Sequence, residues 1–259
     1  MTDKALHAEM IGWRRRLHQN PEFGFEEVQT AAFVAEKLKS FGFDEIETGV
    51  GGTGVVATLR AGSGNRAISF RADMDALRIT EATDLAYSSK TEGVMHACGH
   101  DGHTTMLLGA AKTLAERRDF DGVIHFIFQP AEEWGKGMLA MLADGLLDRF
   151  PHEEAYGVHN MTGLPVGHFE TRPGGFMGAE DNFEIIVSGK GGHASRPHEL
   201  NDAIVAASAI VMNLQTIVSR QVDPSLLAVV SVTEFLTDGT RNASAGAARV
   251  LGDCRSFDP

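Results

Sequence analysis

The chain predicts an α/β fold, a mostly parallel open sheet with helices on both faces, followed by a partial, smaller α+β unit. Two observations carry that expectation. Between about residues 55 and 158, short apolar runs of strand character alternate with stretches that are apolar at helical spacing. Beyond about residue 180 the order changes to a strand, a helix and two strands. With 259 residues, 43% of them apolar, there is material for one sizeable core and a second small one.

Each element follows from local pattern. Leu6, Met10, Trp13 and Leu17 recur at helical spacing, and Asn20-Pro21 stops that helix. Val28, Ala31, Ala35 and Leu38 mark a second helix, with Gly42 just past its end. Residues 55–59 and 67–70 read as strands, 104–118 as an amphipathic helix and 122–128 as a strand. Residues 137–147 read as a helix and 155–158 as a short strand. Residues 183–187 alternate as a strand ahead of the glycine-rich GKGGHASRPH. A helix spans about 202–218, and LLAVVSVTEF and ARVLGDCRSF read as two further strands. The expected division is one domain over 1–180 and a second over 181–259.

Charge and cysteine usage narrow the function classes. A formal charge of -12 repels phosphate backbones, so nucleic acid is not an expected partner. Two cysteines far apart, Cys98 and Cys254, are no disulfide framework and fit a reducing cytoplasm. Charges interrupt the N-terminal stretch before a signal-peptide core forms, and no run reaches the ~18–20 apolar residues of a membrane span. The expectation is a cytoplasmic protein without a membrane partner.

Four polar clusters sit in loops next to these strands. Asp73 and Asp75 lie in RADMDAL after one strand, and Cys98, His100, Asp101 and His103 lie in HACGHDGH before a helix. Glu132 and Glu133 lie in QPAEE after another strand, and His159 closes AYGVHN. Ligands bind at the carboxyl ends of strands in open α/β sheets, so these loops are expected to converge. Alone, Glu132-Glu133 would be a solvated helix start, His159 a hydrogen-bonded core histidine and the Asp pair a helix cap. HACGHDGH resists a packing explanation, because three histidines, a thiol and a carboxylate fall within eight residues. Thiolate and imidazole suit zinc or similar ions, and added carboxylates widen the choice to manganese or cobalt. Of the two glutamates, one would bind a cation while its neighbour takes a proton from water. Asp73 or Asp75 would accept the other ring N–H of a ligating histidine.

Two patterns mislead. GVGGTG matches G-x-G-x-x-G at Gly49, Gly51 and Gly54, but a strand follows where the dinucleotide fingerprint needs a helix. Cys98 as a nucleophile leaves both glutamates and His159 without a task. In GKGGHASRPH, His193, Arg196 and His198 gather around consecutive glycines, either as a basic surface loop or as donors to a substrate carboxylate or oxyanion.

Together RADMDAL, HACGHDGH, QPAEE, GVHN with LPVGHF, GKGGHASRPH and the opening LHQNPEFGFEE resemble the metal-dependent amidohydrolases. That zinc-peptidase group includes hippurate hydrolase, N-acyl-amino-acid amidohydrolases and auxin-conjugate hydrolases. The resemblance implies a catalytic domain interrupted by a lid domain that mediates homodimerisation. It implies two divalent ions (Mn, Zn or Co) on Cys98, His100, Glu133 and His159, and a small N-acyl amino acid as substrate. By the same resemblance Glu132 is the general base, and His193 stabilises the tetrahedral intermediate. Asp73 is placed with the catalytic residues, and Asn160 and Arg196 join His193 in binding substrate.

The chain also departs from that pattern. Family members are longer and return to the catalytic domain with a further histidine ligand. Arg78 stands where a proline is usual, and TRNASAGAARV replaces the usual Asn-Val-Ile-Pro stretch. The expectation is a C-terminally truncated chain, either a working hydrolase completed elsewhere or an inactive fragment that keeps partial metal binding. A pure interaction module is the third class, in which His100→Ala changes nothing measurable.

Overall fold

The computed structural model describes residues 4–257. The chain divides into two compact units, one ending at Gly163 and the other beginning at Leu164. Residues 158–178 carry no helix or strand, and the first strand of the second unit starts at Ala179.

In the first unit, α1 (Lys4–Gln19) and α2 (Val28–Ser40) precede β1 (Glu45–Val50), β2 (Gly54–Ala61) and β3 (Ala67–Asp73). Then come α3 (His100–Arg117), β4 (Gly122–Gln129), a 3-10 turn over Glu132–Trp134, α4 (Gly137–Ala143), α5 (Leu146–Arg149) and β5 (Glu154–Gly157). The sheet order is β1-β2-β4-β3-β5. β3 runs parallel to β4 and β5, whereas β1–β2 and β2–β4 are antiparallel. The sheet is therefore mixed rather than mostly parallel. The physical reason is the connection length, since the three residues between β1 and β2 permit a hairpin but no crossover. GVGGTG forms that hairpin turn, and a Cβ on Gly51 would lie 2.4 Å from the Met141 backbone nitrogen.

Helices cover both faces, as expected. Ile124, Phe126 and Phe128 of β4 join Val55, Ala57 and Leu59 of β2 under α1, α2 and α3, where Trp13, Leu17, Leu38 and Leu108 are buried. On the opposite face Val56 and Ile127 pack with Met141, Leu146 and Phe150. Burial on both sides explains why β4 is a nearly unbroken apolar run. The helix expected over 137–147 is broken at Asp144-Gly145, where Gly145 adopts a positive φ of 79°.

Strand direction then positions the site. Asp73 of β3 pairs in register with Gln129 of β4, and Arg71 with Gly157 of β5. All three parallel strands thus end at one edge. The loops leaving that edge carry Asp75, Glu132, Glu133 and His159, and α3 starts there at His100.

The second unit holds β6 (Ala179–Ser188), β7 (Gly192–His193), α6 (Ala203–Thr216), β8 (Ala228–Thr237), β9 (Ala243–Ser244) and β10 (Ala247–Ser256). β10 lies between β6 and β8, antiparallel to both. Asp202 caps α6, its carboxylate accepting the N–H groups of Ile204 at 2.9 Å and Val205 at 3.2 Å. Ala203 and Ala207 pack on Ala248 and Val250 of the sheet. One sequence expectation needs correction. Among the described residues, Ala203–Gln221 is long and apolar enough to cross a membrane by length and composition alone, with a mean hydropathy of 1.4. A π-turn over Ile217–Gln221 extends α6 to that length.

Candidate metal centre

α3 starts at His100 because Gly99, at φ 95°, turns the chain just before it. A Cβ on Gly99 would lie 2.2 Å from the Asn160 side-chain oxygen, so the 98–99 loop and the loop after β5 touch closely. The helix starts four residues before the expected Thr104. His100 and His103 therefore stand nearly one turn apart, with ring centroids separated by 5.4 Å.

His100 is fully buried, and Nδ1 meets Asp75 Oδ1 at 3.1 Å. A carboxylate on Nδ1 fixes the proton there and turns the Nε2 lone pair outward. That Nε2 has no hydrogen-bond partner. Around it lie Asp73 Oδ2 and Glu133 Oε1, both at 3.7 Å, and Glu132 Oε2 at 3.9 Å. Cys98 Sγ lies 3.4 Å from His159 Nε2, and His159 Nδ1 donates to the Asn160 carbonyl at 2.7 Å. With Nδ1 so engaged, His159 presents Nε2 to Cys98.

Ligand atoms thus gather in three sets around the shared His100, each set within 4.8 Å: Cys98/His100/His159, His100/Glu132/Glu133 and Asp73/His100/His103. Cys98 and His159 share one of these sets with His100, and Glu132 and Glu133 share another with it. Glu132 is the most open of these acids, its side chain 37% exposed.

Electrostatics agrees with the geometry. Burial, the largest influence on His100, opposes its charged form, yet the Asp75 hydrogen bond, Cys98 and Asp73 outweigh it and raise its pKa to about 11. Such crowding of acid around one imidazole marks a place that demands positive charge. Burial raises the pKa of Glu133, with Glu132 and Asp75 adding to the effect and His100 opposing it. Glu133 Oε1 and His100 Nε2, 3.7 Å apart, are both buried without a hydrogen-bond partner. A divalent cation satisfies both, and a set of thiol, imidazole and carboxylate fits zinc, manganese or cobalt.

The geometry decides between the two aspartates. Asp75 orients His100, and its second oxygen accepts the Glu133 N–H at 3.1 Å. Asp73 instead meets His103 Nδ1 at 2.7 Å and accepts from Arg71 at 2.9 Å. Burial, the largest influence on Asp73, pushes its pKa up, but His103, His100 and Arg71 hold it down to about 2. The Asn160 side chain lies on His103 Nε2 at 2.5 Å, and the Asn160 backbone N–H donates to the same nitrogen at 3.0 Å.

His193 and Arg196 belong to the second unit. His193, exposed on β7, takes the Ser195 N–H and hydroxyl on Nδ1 at 3.2 and 2.9 Å. Arg196 pairs with Glu199 at 3.2 Å on an exposed surface.

Sequence reasoning missed the supports behind the centre. His18 and Arg14 of α1 hold Asp101 of α3 at 2.8 and 3.0 Å, and His18 also meets Glu81 at 3.2 Å. The signal was a polar pair on the inward side of an amphipathic helix.

Fold and site together define an α/β protein with a thiol-, imidazole- and carboxylate-lined cation centre at the ends of its parallel strands. The chain belongs to peptidase family M20/M25/M40, whose family model matches residues 69–247. It is 46% identical over 253 residues to a hippurate hydrolase of Campylobacter jejuni, covering 98% of this chain and 66% of that protein. It is 44% identical to an N-acyl-L-amino acid amidohydrolase of Geobacillus stearothermophilus, covering 98% of this chain and 68% of that protein. Among solved structures, the Bacillus subtilis YXEP protein, a dinuclear metal binding peptidase from the M20 family, superposes with a TM-score of 0.76 at 36% identity. That match covers 99% of this chain and 66% of the other. The chain spans about two thirds of the length of these relatives.

Proposed function

We propose that this chain carries the metal centre of an amidohydrolase that cleaves the amide bond of N-acylated amino acids. The observation that supports the reading is that Cys98 with His159, and Glu132 with Glu133, each form a candidate ligand set around the shared His100, whose Nε2 is unpartnered as is Glu133 Oε1. The names of the relatives at 44–46% identity point to the same substrate class.

In this reading Cys98, His100, Glu133 and His159 hold two divalent ions, which when bound lower the pKa of water and polarise the scissile carbonyl. Glu132 takes the proton of the attacking water and delivers it to the leaving nitrogen. Asp75 keeps the Nδ1 proton on His100, while Asp73 and Asn160 hold His103 from its two sides. His193 donates to the developing oxyanion, and since Ser195 occupies Nδ1, Nε2 is the nitrogen that serves. Arg196 meets the substrate carboxylate. A reducing cytoplasm keeps Cys98 unoxidised and free to act as a ligand. The second unit pairs two copies into a homodimer.

The test loads the chain with Mn2+, Zn2+ or Co2+ and assays N-benzoyl and N-acetyl amino acids alongside metal content. Two ions per chain and hydrolysis are expected. Glu132→Gln is expected to keep both ions and lose about 10²–10⁴-fold in kcat. One loosely held ion without turnover would instead leave a metal-binding segment that is not itself an enzyme, and full activity of Glu132→Gln would remove the base assignment.

A further inference from the structure

Two stretches singled out in the sequence have no task in the centre as described, the NPEFGFEE segment and the glycine turn between β1 and β2. Glu27 connects them. Its side chain is fully buried. Oε2 accepts the hydroxyl of Thr53, in the glycine turn, at 2.5 Å, and Oε1 accepts the backbone N–H of Ala131 at 2.8 Å. Ala131 directly precedes Glu132 and sits in the left-handed region, at φ 43° and ψ 46°. A residue with a Cβ is disfavoured there, so something must hold it.

Helix capping does not explain Glu27. It stands at the N-cap position of α2, yet its side chain makes no capping bond. Glu22 performs that task, accepting the N–H groups of Gln29 at 3.0 Å and Thr30 at 2.8 Å. Nor does an ion pair explain it, since the partners of its oxygens are neutral donors. A buried carboxylate satisfied by neutral groups is costly to keep in an apolar setting.

The surroundings of Ala131 fit a clamp. The Ala131 carbonyl accepts the Gly137 N–H at 3.0 Å, and Asp75 accepts the Glu133 N–H. Gly24 lies flush against the turn, where an added Cβ would come within 3.0 Å of the Ala131 Cβ. We propose that Glu27 is a positioning residue: its carboxylate holds Ala131 in the left-handed turn and thereby aims Glu132 and Glu133 into the metal centre. The inference rests on the hydrolase reading above. Without the acceptor, Ala131 relaxes toward right-handed backbone, and both carboxylates that follow it swing with the peptide planes.

The experiment compares wild type, Glu27→Asp, Glu27→Gln and the pair Glu27→Asp/Ala131→Gly, reading kcat, KM and the visible absorption of the Co2+-loaded chain. Glu27→Asp keeps the charge but falls one methylene short of Ala131. It is expected to lose about tenfold to a hundredfold in kcat, with KM within about twofold and shifted Co2+ bands. Glu27→Gln retains an acceptor for the Ala131 N–H and is expected to match wild type, which carries the test even should Glu27→Asp not fold. Glycine adopts the left-handed turn freely, so the added Ala131→Gly is expected to restore part of the lost kcat. A structural role elsewhere would not give that rescue. Glu27→Asp with only a lowered Tm, and kcat and spectrum intact, overturns the proposal; so does a Glu27→Gln variant as impaired as one lacking His100. A wild-type chain that neither binds Co2+ nor hydrolyses substrate overturns the hydrolase reading itself and takes this inference with it.

Discussion

Single side chains in this protein are held by several partners at once, and that sets how they respond to acid. Glu81 accepts the Ser89 N–H at 2.6 Å, the Thr83 hydroxyl and His18 Nε2 at 3.2 Å. The Ser89 hydrogen bond, followed by that of Thr83, lowers its pKa from 4.5 to about 2. A carboxyl depressed in the fold binds fewer protons there than in the unfolded chain. Its stabilisation is therefore present above about pH 4.5 and lost as pH falls toward about 2. Glu81→Gln is expected to lower Tm above that window, with the gap to wild type closing through it. Thermal unfolding across that pH range checks this, and a gap that stays constant contradicts it. His18, on the other side of Glu81, also holds Asp101 in the first turn of α3, so the strap over 81–89 and the helix bearing His100 share one anchor.

The elements that carry the site are the three parallel strand ends and the first turns that follow them. Gly137, the first residue of α4, shows how little room the β4 loop has: an added Cβ would lie 1.5 Å from the Pro130 carbonyl oxygen. Gly137→Ala is expected to cost about 1–3 kcal/mol through that overpacking and to weaken metal binding by displacing residues 131–133. Equilibrium unfolding and metal titration check both parts, and an unchanged metal affinity would free the loop from α4. Much of this layout was legible. β4 announced itself by a continuous apolar run, and the candidate ligand sets around His100 by their residue types in loops beside strands. β1 was not legible, because EIETGV is mostly exposed and polar. Strand direction was not legible either, since it depends on a three-residue turn whose neighbours read equally well as parallel strands. Asp73 and Asp75 stand two residues apart after the same strand, and only packing shows that His100 takes the second. Glu27 escaped notice because its partner lies 104 positions away.

At the scale of the molecule, α6 poses the remaining physical question. A helix apolar on all sides is stable in water only when most of its surface is covered. The sheet of β6, β10 and β8 covers the side bearing Ala203 and Ala207. Val205 and Met212, seven residues apart and therefore on one opposite face, stay 66% and 70% exposed. Leu227 and Val229, at the start of β8, are exposed as well. Exposed apolar side chains of this kind mark an interaction face when they adjoin, and the proposed homodimer predicts that a second copy of the unit covers α6. Replacing Val205 and Met212 together by glutamate places like charges opposite each other across that interface, where the cost falls on association. Both positions point away from their own sheet, so folding of the unit is expected to survive. Sedimentation at micromolar concentration is expected to show dimers for wild type and monomers for the double variant, with far-UV circular dichroism unchanged. A wild-type chain that is already monomeric would leave α6 needing another partner, and a variant that stays dimeric would move the interface off this face.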